Sequence, residues 1–352
     1  MRSSREGPLE RRGSGWRSVC AESGASGVAG SLSARRGPLL LAVLAICCLA
    51  LAAVELARTT RAGKPARAST TRAVAAPMAT GDGASHFVLI MLENRELHEV
   101  IGSGSAPYIE ELARGQALAE SYHAITHPSL PNYIALLAGS TLGISSDCTS
   151  CEAHGTNLVD QLEAAHIGWR AYMQGMPSPC YRGAETSRYA KRHDPFMYFR
   201  QISADPGRCD RIVPLSRLAG ELRNGTLPPF VWITPDLCAD GHNCGNSAPN
   251  HFLAGLVPTL LAHLGRNGVL AIVWDEGSTN DGCCSHAAGG TVPLILAGRP
   301  VRHHYVLRTP ADHYSLLATI EQSFGLSRLR GAACPCTPSL SPMFRAGHPP
   351  HL

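Results

Sequence analysis

The stretch HFVLIML at residues 86–92, followed at once by Glu93-Asn94, decides the fold. It is almost wholly apolar and shows no polar alternation, as a parallel strand buried on both faces requires. Phe230–Thr234 (FVWIT) has the same character and stops at Pro235-Asp236. Residues 268–274 (GVLAIVW) stop at Asp275-Glu276-Gly277, and residues 292–298 (VPLILAG) give a fourth candidate strand. Helical patterns separate them at 157–165, 252–264 and 314–324, the last with Gly325 placed as a C-terminal cap. Strands alternating with helices predict an α/β fold, a central, mostly parallel sheet flanked by helices on both faces.

Where these strands stop is the chemical signal. Ligand sites in open α/β sheets form at the carboxyl ends of the strands. A buried strand tip is a costly place for a bare carboxylate unless a cation or partner sits there. Carboxylate and amide oxygens are donors that hard divalent cations accept. One strand-end acid alone reads as a turn or cap residue. Glu93-Asn94 and Asp275-Glu276, two polar doublets after apolar strands, together point to a metal site.

A nucleophile candidate lies in His127-Pro-Ser129-Leu-Pro-Asn132-Tyr133. Pro131 suits the first turn of a helix and Ser129 suits its cap, so capping and catalysis both remain open. A hydroxyl at a helix N-terminus faces free N–H groups and the positive dipole end, a geometry that binds phosphate. Asn132 would add an amide donor for a phosphoryl oxygen, and His127 is a further candidate substrate contact. Beyond the strand at 230–234, Asp240 and His242 lie in a loop that Cys238 and Cys244 would pin. His286 follows Glu276 by ten residues. His123, His154, His193, His303 and His304 read as surface residues.

The rest of the chain concerns export. Residues 38–57 carry one charge, Glu55, and match the length of a membrane-crossing helix. The arginines before them place the start of the chain in the cytoplasm, so everything after residue 57 is exported. An uncleaved anchor and a cleaved signal peptide fit equally. The predicted organisation is a basic leader (1–37), this segment, a linker (58–84) and a catalytic domain (85–352). Ten of the 13 cysteines follow the apolar segment, which suggests up to five disulfides in an oxidising compartment. Cys148-x-x-Cys151 lacks the second pair that a zinc ribbon needs. Residues 1–80 hold 12 Lys/Arg against 4 Asp/Glu, which leaves 19 against 23 in the body. A mildly acidic body excludes nucleic-acid binding as the main role.

Four stretches in this order resemble the phosphoesterase family of acid phosphatases and bacterial phospholipases C, within the alkaline-phosphatase-like superfamily. They are 89–102 (LIMLENRELHEVIG), 127–141 (HPSLPNYIALLAGST), 233–244 (ITPDLCADGHNC) and 273–277 (VWDEG). Residues 313–326 are similar to the family's closing helix. The resemblance implies an alkaline-phosphatase-like α/β sheet and a divalent metal, of unknown identity and number, at its carboxyl edge. It makes Glu93, Asn94, Asp275 and Glu276 metal ligands, with Asp240 and His286 as further ones. It makes Ser129 the nucleophile and Asn132 a phosphoryl contact, and it sets Asp240 and His242 near where members with two metals take an Asp and a His. His242 is also a candidate proton donor to the leaving group. The chain is more similar to the compact acid phosphatases than to the phospholipases. The implied reaction is phosphomonoester hydrolysis through a phosphoserine, on a phosphorylated small molecule or lipid, with a phospholipase C-type diesterase as the alternative. A metal-free serine esterase has no G-x-S-x-G elbow to support it. An inactive phospho-ligand-binding relative would have no need to keep Ser129 and the carboxylates together.

Overall fold

A computed structural model describes residues 85–352. The apolar segment at 38–57 and the leader and linker around it lie outside the described residues. No helix among the described residues is long and apolar enough to cross a membrane.

The predicted central strands are β1 (Phe87–Leu92), β6 (Phe230–Thr234) and β7 (Val269–Trp274), and every residue in them is buried. They are joined by β2 (Ala117–Ala119), β4 (Trp169–Met173), β5 (Ile212–Pro214), β8 (Leu294–Ala297) and β9 (Tyr305–Leu307). The eight strands run in the order β5-β4-β6-β1-β7-β8-β2-β9. β1 pairs in parallel with β6 and β7, and β6 with β4, so the acidic tips of β1, β6 and β7 share one edge. β3 (Tyr122–His123) and β10 (Ala311–Asp312) form a separate two-stranded ladder.

The fourth predicted strand becomes β8, and it runs antiparallel to both β7 and β2. Residues 277–293 between β7 and β8 contain no helix, so the chain returns from the same edge without the crossover that a parallel strand needs.

The principal helices are α1 (Pro107–Gly115), α2 (Ser129–Ala138), α3 (Leu158–Ala164), α4 (Leu218–Asn224), α5 (Ser247–His263) and α6 (His313–Ser323). α1 packs on α5, and α2 packs on α6 and α3, giving separate helical groups against the sheet. α5 starts five residues earlier than the sequence pattern indicates. α6 closes at Phe324, and Gly325 follows in the left-handed conformation, φ +65°. Trp169, Trp232 and Trp274 are fully buried in the core.

All ten cysteines of the body are paired: 148–151, 180–209, 238–244, 283–284 and 334–336. The Cys148-x-x-Cys151 motif is therefore a closed disulfide. The 238–244 bridge pins the loop after β6, as its spacing suggested.

Candidate functional site

Four acidic side chains converge at the carboxyl edge of the sheet. Glu93 follows β1, Asp240 lies in the loop after β6, and Asp275-Glu276 follow β7. Glu93, Asp240 and Asp275 are completely buried and Glu276 nearly so. Asn94 takes the left-handed conformation (φ 51°), which Asn tolerates better than most residues. This turn aims its N–H at Asp275 Oδ1 (2.9 Å) and its side-chain amide at Glu93 Oε2 (3.0 Å).

Ser129 enters this cluster from the first turn of α2. Its hydroxyl reaches Glu93 Oε2 at 3.1 Å and Glu276 Oε1 at 3.0 Å. It therefore faces the strand tips and caps nothing; Pro128 holds the cap position, and the Leu130 N–H is served by Asp147 Oδ1 at 2.9 Å. One turn along the same face, Tyr133 donates its hydroxyl to Glu93 Oε1. His127 Nδ1 meets Glu276 Oε2, and its Nε2 donates to the Thr279 carbonyl at 2.8 Å.

Burial sets the electrostatics. It pushes the Glu93 carboxyl well above its ordinary range, and Asp275 and Asp240 add repulsion. Burial raises Asp275 likewise, with Glu276 as the next cause. Asp240 is pushed up to about 7 by burial. Glu276 is raised by burial and partly restored by its bonds to His127 and Ser129. Asp275 Oδ2 and Asp240 Oδ2 are buried without a hydrogen-bond partner. A dry cluster of oxygen donors with such orphaned atoms fits a divalent cation, which would relieve the repulsion.

Other sequence candidates are placed differently. Asn132 is buried, and both ends of its amide are engaged: Oδ1 accepts from Ile125 N (2.9 Å) and Thr126 N (3.1 Å), while Nδ2 donates to Thr126 O (2.7 Å) and Pro128 O (3.2 Å). It holds the loop leading to Ser129 instead of presenting a free donor. His286 bonds to Asp312 Oδ2 at 2.7 Å, away from the strand-end acids. His242 is half-buried, with its N–H on Asp240 Oδ1 at 2.7 Å and its ring 5.7 Å from that of His193.

His193 and His123 are buried, contrary to the surface reading; His154, His303 and His304 are exposed. His193 lies between Glu93 Oε1 (3.2 Å) and Asp240 Oδ2 (3.3 Å), and stacks on Tyr133 with ring planes 6° apart. The contact with Glu93 is close but poorly aligned, which leaves Nε2 without a hydrogen bond. Burial holds the His193 imidazole well below its ordinary pKa, hence neutral. Glu93, His193 and His242 bring ligand atoms within 4.8 Å of one another. His193 ends a one-turn 3₁₀ segment (Lys191–His193) in an irregular stretch, where no periodicity marks it. Tyr133 was detectable, since a residue four beyond Ser129 on a helix shares its face.

Half-buried Arg95 and buried Glu96 hold the loops that frame the cluster. Arg95 donates to Asn94 O (2.7 Å), Gly241 O (2.8 Å) and Asn246 Oδ1 (3.0 Å), tying the disulfide-closed loop to the tip of β1. Glu96 accepts from Ser278 N (2.9 Å), Thr279 N (2.9 Å) and Thr291 N (3.1 Å), fixing the 277–291 loop. Gly277 faces the Glu96 carboxylate so closely that a Cβ would collide with Oε1.

Known proteins resemble this chain in sequence and in fold. The chain is 28% identical over 251 residues to a phosphatidylinositol-3-phosphatase of Mycobacterium tuberculosis, covering 69% of this chain and 78% of that one. It is 26% identical over 254 residues to a phosphate-repressible acid phosphatase of Penicillium chrysogenum, covering 69% of this chain and only 60% of that one. A solved structure from Vibrio parahaemolyticus, described as a protein in the alkaline phosphatase superfamily, superposes with a TM-score of 0.50 at 12% identity. The match covers 72% of this chain and 71% of that one, and it shows the shared fold. The profile of the phosphoesterase family matches residues 103–327, a span holding Ser129, Asp240, Asp275 and Glu276. The chain belongs to the phosphoesterase family.

Proposed function

We propose that this protein hydrolyses phosphate monoesters, with Ser129 as nucleophile and a divalent cation held by Glu93, Asn94, Asp275 and Glu276. The observation carrying this reading is the position of the Ser129 hydroxyl, within 3.1 Å of both Glu93 and Glu276 and unused as a cap. The names of the two curated relatives, an acid phosphatase and a phosphatidylinositol-3-phosphatase, support the substrate class.

The cation, when bound, would neutralise the carboxylates, lower the pKa of the serine hydroxyl and offset charge on the phosphoryl group. Ser129 Oγ attacks phosphorus and passes its proton to the Glu93–Glu276 carboxylate pair as the P–O ester bond breaks. His242, half-buried at the mouth of the cluster, gives a proton to the departing oxygen. Water then gives a proton to His242 and attacks the phosphoserine, the bond to Oγ breaks, and Ser129 regains its proton from the carboxylate pair. The positive end of α2 favours the phosphoryl charge throughout. Asn132 keeps the 125–128 loop in shape and has no free donor for a phosphoryl oxygen, and His286, bonded to Asp312, stays outside the cation set. The Asp240 carbonyl accepts the Glu93 N–H at 3.0 Å, and its orphaned Oδ2 would offer the cation a further oxygen.

The test is hydrolysis of p-nitrophenyl phosphate and of bis-p-nitrophenyl phosphate by the exported protein, with and without EDTA, beside Ser129→Ala. Monoester turnover lost to both chelator and mutation is the expected result. Turnover that survives EDTA overturns the metal dependence. Turnover of the diester alone replaces the monoesterase with a phospholipase C-type activity.

A further inference from the structure

At the β7–β9 end of the sheet, the edge opposite the carboxylates carries a different chemistry. Because β8 runs against its neighbours, it delivers residues 298–304 to that edge. There they meet residues 263–268, which lead into β7, and the segment 341–352. The Arg302 N–H donates to Met343 O (2.8 Å), Arg345 N–H to Pro300 O (2.9 Å) and His304 N–H to Gly115 O (3.2 Å). Gly298 packs against the Gly268 backbone with no room for a Cβ. Asn267 Nδ2 reaches His351 O at 3.4 Å.

These three segments hold four arginines and five histidines and contain no Asp or Glu, in a body whose overall balance is acidic. Arg266, Arg299, Arg302 and Arg345 are all exposed, and none makes an ion pair among the described residues. Arg299, His303 and Arg345 line an open groove of about 370 Å³ with Gln116, Leu261 and Gly298. The bordering Arg114 is the one cation there with an acidic neighbour, Glu110 at 3.8 Å. A solvated surface of average composition would mix both signs.

The chain enters the fold at this same edge. The Ser85 hydroxyl accepts from Asn267 N–H at 3.1 Å. Upstream of Ser85, residues 58–84 carry five basic residues and one acidic one, and the apolar run 38–57 precedes them. We infer that this basic edge rests on an anionic phospholipid surface, with the carboxylate edge turned away from it. A basic side chain within a Debye length of about 8 Å adds roughly fivefold to such binding. The arrangement directs the catalytic edge to esters arriving from solution, and away from headgroups of the leaflet it rests on.

The full chain, reconstituted in vesicles of phosphatidylcholine with phosphatidylglycerol and in vesicles of phosphatidylcholine alone, tests this by amide hydrogen exchange. Exchange in 298–304 and 341–352 is expected to slow about tenfold in the anionic vesicles. Raising salt to ~0.5 M, where the Debye length falls to about 4 Å, should reverse it. Arg299→Glu/Arg302→Glu should abolish the protection while p-nitrophenyl phosphate turnover stays unchanged. The neutralising pair Arg299→Gln/Arg302→Gln repeats the test if charge reversal impairs folding. Equal exchange in both vesicle types overturns the inference. So does protection that heparin in solution produces and anionic vesicles do not.

Discussion

Asp147 caps the helix that Ser129 opens. Its Oδ1 takes the Leu130 N–H at 2.9 Å, which frees the Ser129 hydroxyl to face Glu93 and Glu276. In many helices one residue would do both, since a serine before the first turn usually satisfies an orphan N–H. Here the two roles lie on separate side chains, so mutation can separate them.

Ser129→Ala is accordingly expected to abolish phosphate-ester turnover while shifting the thermal midpoint by less than about 2 °C. Asp147→Ala should do the reverse: loss of a cap costs about 1 kcal/mol, a fall of roughly 2–4 °C in a domain of this size. Calorimetry beside a p-nitrophenyl phosphate assay checks both. A large drop in stability from Ser129→Ala would return the serine to a structural role.

Tyr133 tests the support behind the nucleophile. Burial, with the nearby carboxylates as lesser causes, raises its phenol well above the ordinary value, so it is a hydroxyl donor at any working pH. Tyr133→Phe removes that donor from the buried Glu93 and keeps the ring that stacks on His193. A hydrogen bond to a charged group contributes about 1.5–3 kcal/mol, so kcat/KM should fall by roughly tenfold or more. The concentration of added metal giving half-maximal activity should shift as well. An unchanged metal titration would reduce Tyr133 to packing.

The parts of this site that the sequence disclosed are those whose signal is local. β1, β6 and β7 are unbroken apolar runs, and Glu93, Asp275 and Glu276 stand where those runs stop. β2, β3, β5, β9 and β10 are two or three residues long, too short for any periodicity; β2 and β5 form on the edges of the longer β8 and β4, and β3 and β10 pair only with each other. Asn132 illustrates a second limit. Its position in the motif suits a phosphoryl contact, yet its partners are backbone groups at 125, 126 and 128, brought to it by how the preceding loop closes. His193 is a third case: what buries it is α2 and the loop after β6, neither adjacent in sequence.

Stability should depend on pH through a group remote from the carboxylate cluster. Glu321 in α6 is pushed up to about 8 by burial. Its Oε1 accepts from Leu329 N at 2.8 Å, and Oε2 is buried without a partner. In the unfolded chain it titrates near 4.5. Between these values the folded protein binds the extra proton, so the contribution of Glu321 to stability falls as pH rises through this window. Below about 4.5 the group is neutral in both states and costs nothing. Glu321→Gln keeps the acceptor for Leu329 and removes the ionisation. It should stabilise by on the order of 2 kcal/mol at about pH 8 and make no difference near pH 4. Urea unfolding at both pH values checks this, and an equal gain at both would locate the effect in packing instead.

The last prediction concerns the route by which α6 reaches Asp275. His313, fully buried at the start of that helix, accepts from the Tyr122 hydroxyl through Nδ1 (2.9 Å) and donates from Nε2 to the Asp275 carbonyl (2.7 Å). Burial lowers its pKa to about 4, so the ring is neutral and can bond in this one-donor, one-acceptor fashion. Neither His313 nor Tyr122 touches the carboxylates, so both act by holding the backbone that presents Asp275 and Glu276. Tyr122→Phe leaves a buried ring nitrogen unpaired, and His313→Ala leaves both the phenol and the carbonyl unpaired, so the two losses overlap. A double-mutant cycle on unfolding free energy should give a coupling of about 0.5–3 kcal/mol. In the activity assay His313→Ala should raise the metal concentration for half-maximal turnover, with a smaller shift for Tyr122→Phe. Additive losses, or a metal titration that neither variant moves, would confine the Tyr122–His313 pair to the packing of α6.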